Sequence, residues 1–236
     1  MSQVRARSPS PPPLATGDRL TRPEFERRAA LLPEHVKVEL LDGEVYMAAA
    51  TKAEHGDPHA LVVAWLTTYA YATPGTKASD NSSVRLDEIT EPQPDVHLRV
   101  LPEAGGLSRI DEDGYVSGAV ELMAEVAASS VSIDLNKKKE IYLRNGIREY
   151  VVLAVHDAVV FWFALEEGVY VPLPADRSGV IRSRVFPGLW LDTRAAVRDD
   201  GARVLKVLDR GIASKAHQAY VRELAAKLRA SRRRHS

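Results

Sequence analysis

The chain has 236 residues, 45% of them hydrophobic, with 32 Lys/Arg balanced by 32 Asp/Glu for a formal net charge of zero. That content supports a sizeable core, and the charge balance excludes a global field steering the chain to nucleic acid or membrane. The absence of cysteine excludes disulfides and Cys-ligated zinc or iron–sulfur sites, and fits a reducing, cytoplasmic compartment. No apolar run approaches the length of a membrane span, and no apolar segment follows Arg5 and Arg7 as a secretory signal requires.

In chain order, residues 1–18 carry Ser8-Pro9-Ser10-Pro11-Pro12-Pro13 and no apolar period, which predicts a disordered tail; a Pro-rich partner ligand is the alternative. Residues 19–195 read as one domain. Thr21 and Glu24 have capping-box spacing, and Phe25, Ala29 and Leu32 follow at helical intervals, so a short helix ends before Pro33. Val36–Leu41 and Glu44–Ala48 read as a hairpin about Asp42-Gly43, where a type I′ turn needs positive φ twice. Thr51–Pro58 is a polar loop. A helix is expected from His59, with Val62, Val63, Leu66, Tyr69 and Ala70 on one face, ending before Thr73-Pro74-Gly75.

Lys77–Asp87 is weakly strand-like. The rigid Glu91-Pro92-Gln93-Pro94 segment feeds an alternating strand from Asp95 to Val100, and Leu101–Gly118 reads as a loop. Val120–Ala127 is a strand followed by Ser129, Ser130 and Ser132. Asp134 suits the first turn of the next helix, which carries Leu135, Lys138, Ile141 and Tyr142 and stops at Asn145-Gly146. Glu149–Val155 is nearly continuously apolar, as in a sheet covered on both faces. Val159–Ala164 and Gly168–Pro172 suggest a hairpin, and Val185–Leu191 a last short strand. Residues 196–236 form a basic helical extension. From Gly201 onward it has ten Lys/Arg against Asp209 and Glu223, and its narrow apolar stripe is Tyr220, Leu224 and Leu228.

One acid is out of place. Glu125 sits among Leu122, Met123, Val126 and Ala127, and a carboxylate is costly to bury without a partner. If its strand neighbours the one opened by Asp95, the two carboxylates converge and repel unless a cation lies between them. Hard oxygen ligands select Mg²⁺ or Mn²⁺, and the ammonium of Lys138 suits an anionic substrate or a developing oxyanion. Metal, acid pair and lysine together point to phosphodiester hydrolysis. The plainer readings are a solvent-facing Asp95, an arginine partner for Glu125, and a solvated face for Lys137-Lys138-Lys139. His97, Trp162 and Trp190 read as structural, and Tyr142 as core packing.

The series Leu40-Leu41-Asp42-Gly43-Glu44, Glu54-His55-Gly56 with His59, Gln93-Pro94-Asp95-Val96, Glu125-Val126, Asp134 with Lys138 and Tyr142, Asn145-Gly146-Ile147 and Arg148-Glu149-Tyr150 resembles the Uma2 family, restriction-endonuclease-like proteins of the PD-(D/E)xK nuclease superfamily. Phe186-Pro187-Gly188-Leu189 is similar to that family's closing segment. The resemblance covers Thr21 to Leu191. It implies an α/β (α+β) fold, a restriction-endonuclease-like core whose mixed central sheet is flanked by helices. It further implies a Mg²⁺ (or Mn²⁺) site of Asp95 and Glu125 with Glu44 assisting, and Lys138 as the catalytic cation.

His59, in preference to His55, matches the histidine at the start of the family's first core helix. The chain departs from the superfamily at Ala127, where the pattern has lysine. By the resemblance the chain is a metal-dependent endonuclease acting on DNA, expected as a homodimer; the alternative is a catalytically silent nucleic-acid-binding or protein-interaction module. Arg232, Arg233 and Arg234 are candidate phosphate contacts, or else a solvated helix end.

Overall fold

A computed structural model describes residues 11–33, 35–48 and 53–234. Its centre is a six-stranded mixed sheet. The strands used below are β1 (Val38–Leu41), β2 (Glu44–Met47), β3 (Thr76–Asp80), β4 (Val84–Arg85), β5 (Val96–Val100), β6 (Arg109–Ile110), β7 (Val116–Ser117), β8 (Leu122–Ala127), β9 (Glu149–Ala154), β10 (Val159–Glu166), β11 (Val169–Pro172), β12 (Val180–Arg182) and β13 (Trp190–Asp192). The sheet order is β11-β10-β9-β8-β5-β3. Only β8 and β9 run parallel, while β3, β5, β10 and β11 pair antiparallel with their neighbours.

Every residue of β8 and β9 is buried, as their near-continuous apolar runs require of a pair covered on both faces. Joining two parallel strands takes a crossover. It is supplied by α3 (Val131–Ile133), a π-helical stretch (Asp134–Lys138) and α4 (Lys139–Arg144). On the other face lies α2 (Ala53–Ala72), with Trp65, Leu66 and Tyr69 in one core with Leu98, Ala124 and Val126. The hairpin β1-β2 turns at Asp42 (φ 54°) and Gly43 (φ 74°), the two positive φ values a type I′ turn needs.

Several expectations are corrected. The helix set to begin at His59 starts six residues earlier, at Ala53, and contains Pro58. Proline reads as a breaker in sequence, but here it removes one donor near the helix start while the later turns are held by the core. The strand expected at Val185–Leu191 is mostly a turn, with Leu189 N–H donating to Phe186 O and Gly188 at φ 92°; the pairing strand is β13, against β12. The loop Leu101–Gly118 contains β6 and β7, which form a small sheet with β4.

Residues 11–18 of the expected tail are anchored at Leu14 and along the main chain, though most of their side chains are exposed. Leu14 is buried with Phe25 of α1 (Arg22–Ala29) and Val45, and the Arg28 guanidinium donates to the carbonyls of Pro12 and Pro13 and pairs with Asp18 at 2.6 Å. Without periodicity this anchoring leaves no sequence pattern. Residues 1–10 of that tail and Thr51 and Lys52 of the expected loop lie outside the described residues.

The boundary drawn before residue 196 is a change in surface charge and not in the core. α5 (Thr193–Ala196) and α6 (Gly201–Ile212) bury Ala195, Val204 and Leu208 in the cluster that holds Leu61 and Trp65, and α7 (Lys215–Arg234) adds Leu224. Trp162 is buried in that core and Trp190 is half-buried. Among the described residues no helix is long and apolar enough to cross a membrane.

Candidate active site

Asp95 is the residue before β5, and Glu125 lies in β8. The antiparallel register sets Val96 against Ala124, so Asp95 and Glu125 face each other one step on. Side chains alternate across a strand. Val96, Ala124 and Val126 point into the α2 core, which sends both acids to the opposite face, beneath the crossover helices. Asp95 N–H contacts Glu125 Oε2 at 3.4 Å, and Val126 N–H donates to Asp95 Oδ2 at 2.7 Å. Both carboxylates are almost wholly buried. Two rigid adjacent strands therefore fix the acid pair.

The crossover brings Lys138 over it. Asp134, Lys138 and Tyr142 recur every fourth residue and are all buried, two of them within the π-helical stretch; such bulges recur at functional sites. Lys138 Nζ lies 3.0 Å from Glu125 Oε1, 3.0 Å from Glu39 Oε1 and 3.6 Å from Asp134 Oδ1. Tyr142 OH donates to Glu125 Oε1 at 2.9 Å, so this tyrosine does more than fill the core. Ala127 sits on the Glu125 face of β8, packed in one cluster with Ile141 and Tyr142. An ammonium from the overlying helix thus reaches the acid that a lysine at 127 would have neighboured.

Three members were not foreseen in these roles. Lys37 Nζ pairs with Asp95 Oδ1 at 2.8 Å. Glu39 in β1 meets Lys138 and accepts from Gln93 N–H at 2.8 Å. His55 Nε2, which sequence ranked behind His59, lies 3.5 Å from Asp95 Oδ2. The available signal was the alternation of Lys37 and Glu39 with Val38 and Leu40, which puts two charges on one face of a strand. His59 bonds Asp80 at 2.9 Å and the main-chain oxygen of Asp95 at 3.3 Å. Both histidines line the cavity.

Glu44 is corrected. It lies 2.8 Å from Lys137 Nζ and 3.6 Å from Arg19, and it is not among the residues lining the cavity. Its place opposite Leu41, directly after the turn, carries it away; the acid of this hairpin that lines the cavity is Glu39. Arg232, Arg233 and Arg234 are exposed on the last turn of α7, also apart from the cavity lining. His97 is fully buried, and neither ring nitrogen has a hydrogen-bond partner among the described residues. Burial, with Arg99 nearby, pushes its pKa down to about 3, so the ring is neutral.

The side chains surround a cavity of about 500 Å³ lined by Lys37, Glu39, Asp95, Glu125, Asp134 and Lys138, among others. Four acids there face two lysines. Burial pushes Glu125 up to about 8, reinforced by Asp95, Asp134 and Glu39 and opposed by Lys138. Burial also raises Asp134 against the pull of Lys138. Burial works against the charge of Lys138, yet Glu125, Glu39 and Asp134 hold its ammonium well above the ordinary lysine range. Asp95 goes the other way: burial is outweighed by His55 and Lys37, and its carboxyl lies well below the usual range. The hydrogen bond to Asp95 in turn raises His55. This surplus of buried negative charge is relieved by a proton or by an added cation.

Among the described residues no three His, Asp or Glu converge as a ready-made metal cage. Mg²⁺ does not need one, because it keeps several waters and binds through one or two carboxylates plus substrate phosphates. Asp95 and Glu125 supply such a hard-oxygen pair, and Glu125 Oε2 has only the long 3.4 Å contact from Asp95 N–H. The donor set fits that ion.

The fold is similar to that of a solved protein described as a putative nuclease belonging to DUF820 from Anabaena variabilis. The TM-score is 0.58 at 13% identity, over 73% of this chain and 96% of that one. At that identity the likeness shows the fold alone, a mixed sheet flanked by helices. No curated protein gives a significant match. The family match is Uma2, described as "Putative restriction endonuclease", over residues 22–194. Since that stretch is most of the chain and holds Asp95, Glu125 and Lys138, this protein belongs to the Uma2 family.

Proposed function

We propose that the chain is a divalent-metal-dependent nuclease that hydrolyses phosphodiester bonds in DNA. The observation that carries this reading is the meeting of Asp95 and Glu125 on adjacent strands, beside a cavity where acids outnumber lysines. Family and fold agree with nuclease chemistry in general.

Asp95 and Glu125 would hold Mg²⁺ or Mn²⁺, which when bound polarises a phosphate oxygen and lowers the pKa of an attacking water. The chain's own groups do the rest. Val126 N–H and His55 fix the Asp95 carboxylate. Lys138 and Tyr142 fix Glu125 through Oε1, leaving Oε2 towards the acid partner. The Lys138 ammonium adds positive charge where the phosphate gains negative charge in the transition state. Burial of these groups strengthens their electrostatic effect. The exposed Arg232, Arg233 and Arg234 would contribute salt-dependent phosphate contacts. Cutting both strands calls for two such sites, hence a homodimer.

The test is incubation of purified protein with plasmid and Mg²⁺ or Mn²⁺, beside Asp95→Ala and Lys138→Ala. Metal-dependent nicking that is lost with Asp95→Ala supports the reading; nicking that persists in that variant, or that ignores chelator, overturns it. Light scattering reports the oligomeric state. The second reading, a catalytically silent binding module, is favoured by one observation. Lysines and Tyr142 already partner both acids, and position 127 has no lysine. DNA binding without cutting in either metal would select it.

A further inference from the structure

Four carboxylate oxygens are presented by Asp95 and Glu125, and they are not equally engaged. Glu125 Oε1 accepts from Lys138 and Tyr142, and Asp95 Oδ2 accepts from Val126 N–H. These three donors are buried and come from the sheet and the crossover helices. Glu125 Oε2 has the long main-chain contact alone, and Asp95 Oδ1 is held by Lys37 at 2.8 Å. The oxygens free or exchangeable for an incoming cation are therefore Asp95 Oδ1 and Glu125 Oε2.

The two lysines also differ. The Lys138 side chain is 5% exposed and spans three carboxylates, whereas that of Lys37 is 24% exposed and its ammonium lies on the cavity side of Asp95. Lys37 precedes β1 in the chain and is not part of the central sheet. A flexible four-carbon stem carrying a point charge can leave one anion for another at small cost. Lys138, enclosed on all sides, cannot.

We propose that Lys37 is a positioning residue that keeps the cation's place: its ammonium neutralises Asp95 Oδ1 in the metal-free chain and yields that oxygen when a divalent ion binds, becoming available to a substrate phosphate. This rests on the metal-site reading above. It gives the ammonium two successive anions, first the carboxylate and then the phosphate. It also explains how the buried Asp95 carboxylate stays charged before metal arrives, since a buried charge is costly unless it is paired.

The experiment is Mn²⁺ binding to full-length protein, by calorimetry and by the paramagnetic signal of free Mn²⁺, with no nucleic acid present. Wild type is compared with Lys37→Met, Lys37→Arg and Asp95→Asn. With the competing ammonium removed, Lys37→Met binds Mn²⁺ about 10-fold more tightly, equivalent to about 1.4 kcal/mol. Its melting temperature in chelator drops, and Mn²⁺ raises it by more than it raises that of wild type. Lys37→Arg, which keeps the charge, stays near wild type.

Cleavage at saturating Mn²⁺ supplies the second readout: Lys37→Met shows a raised KM for DNA despite its tighter metal. Mn²⁺ binding by Lys37→Met that equals or falls below wild type sinks the placeholder role, provided Asp95→Asn has lost binding. If Asp95→Asn binds Mn²⁺ as well as wild type, or wild type binds none, the metal site itself is refuted and the role of Lys37 with it. The melting curves show whether each variant is folded.

Discussion

Two glutamates stand inside adjacent parallel strands of one sheet, and both are buried: Glu125 in β8 and Glu149 in β9. Glu149 is satisfied on both oxygens by neutral donors. Oε1 accepts from the N–H groups of Arg184 and Val185, and Oε2 from Trp162 Nε1 and Ser183 Oγ. It ties the segment after β12 to the sheet. Glu125 shares one oxygen between a lysine and a tyrosine, leaves the other nearly unengaged, and faces three further acids across an open cavity. Burial raises the pKa of both. What separates an anchor from a chemical group is the company each keeps: a closed set of neutral donors, or an unbalanced charge beside space for a ligand.

That contrast can be broken in four ways. The largest effect is expected in catalysis. Glu125→Ala and Asp95→Ala each lower metal-dependent cleavage on the order of 10³-fold, because several kcal/mol of charge stabilisation leaves with the ligand. Glu149→Gln, which keeps the shape and one of the two acceptor oxygens, leaves the rate within a few-fold. Plasmid nicking time courses decide it, and equal losses in both strands would erase the distinction.

Lys138→Met should come next, as a stability effect. It leaves Glu125, Glu39 and Asp134 together without their shared ammonium, and breaking a buried ion pair costs about 3–5 kcal/mol. Urea melts measure this, and added Mg²⁺ should recover part of the loss. A smaller cost of about 2–3 kcal/mol is expected for Glu149→Ala, which strands two N–H groups, an indole and a hydroxyl; this loss should be insensitive to metal.

Per pH unit, the smallest effect is a slope of stability with pH. The Glu125 pKa rises from an unfolded value near ~4.3 to about 8 in the folded chain. Between these values the unfolded chain has released a proton that the folded chain keeps. Stability therefore falls as pH rises, by at most ~1.4 kcal/mol per pH unit from this group. Asp95 does not blur the window. Its folded pKa is lowered, so its contribution is fully present above the unfolded ~3.9 and is lost only in stronger acid. Wild type should lose stability relative to Glu125→Gln as pH rises across that window, and Mn²⁺ should flatten the trend. A difference that is constant with pH would mean that Glu125 is ionised throughout.

Much of the scaffold was legible in the chain. The buried strands β8 and β9 announce themselves by apolar runs, the β1-β2 turn by Asp42-Gly43, and the acid pair by Asp95 at a strand start and Glu125 inside a strand. The misses share a cause. Local pattern misleads at Pro58, residues 11–18 and the α5–α7 segment, because each is settled by what it packs against. Lys37 and Glu39 carry little local signal, because charges in a short strand look like a solvated face until another element covers that face. Glu44 was misplaced because adjacency to a turn does not tell which way a hairpin leans.

The sequence by itself determined the elements, the family and the presence of an acid that needed a partner, because periodicity and turn chemistry are local properties. Only the tertiary structure decided which partners it received. Lys138 reaches Glu125 from a helix 13 positions away, Lys37 reaches Asp95 across 58 positions, and Glu149 is closed off by residues 34 to 36 further on. Charge balance around a buried group is a sum over neighbours in space, and no local stretch of chain contains it.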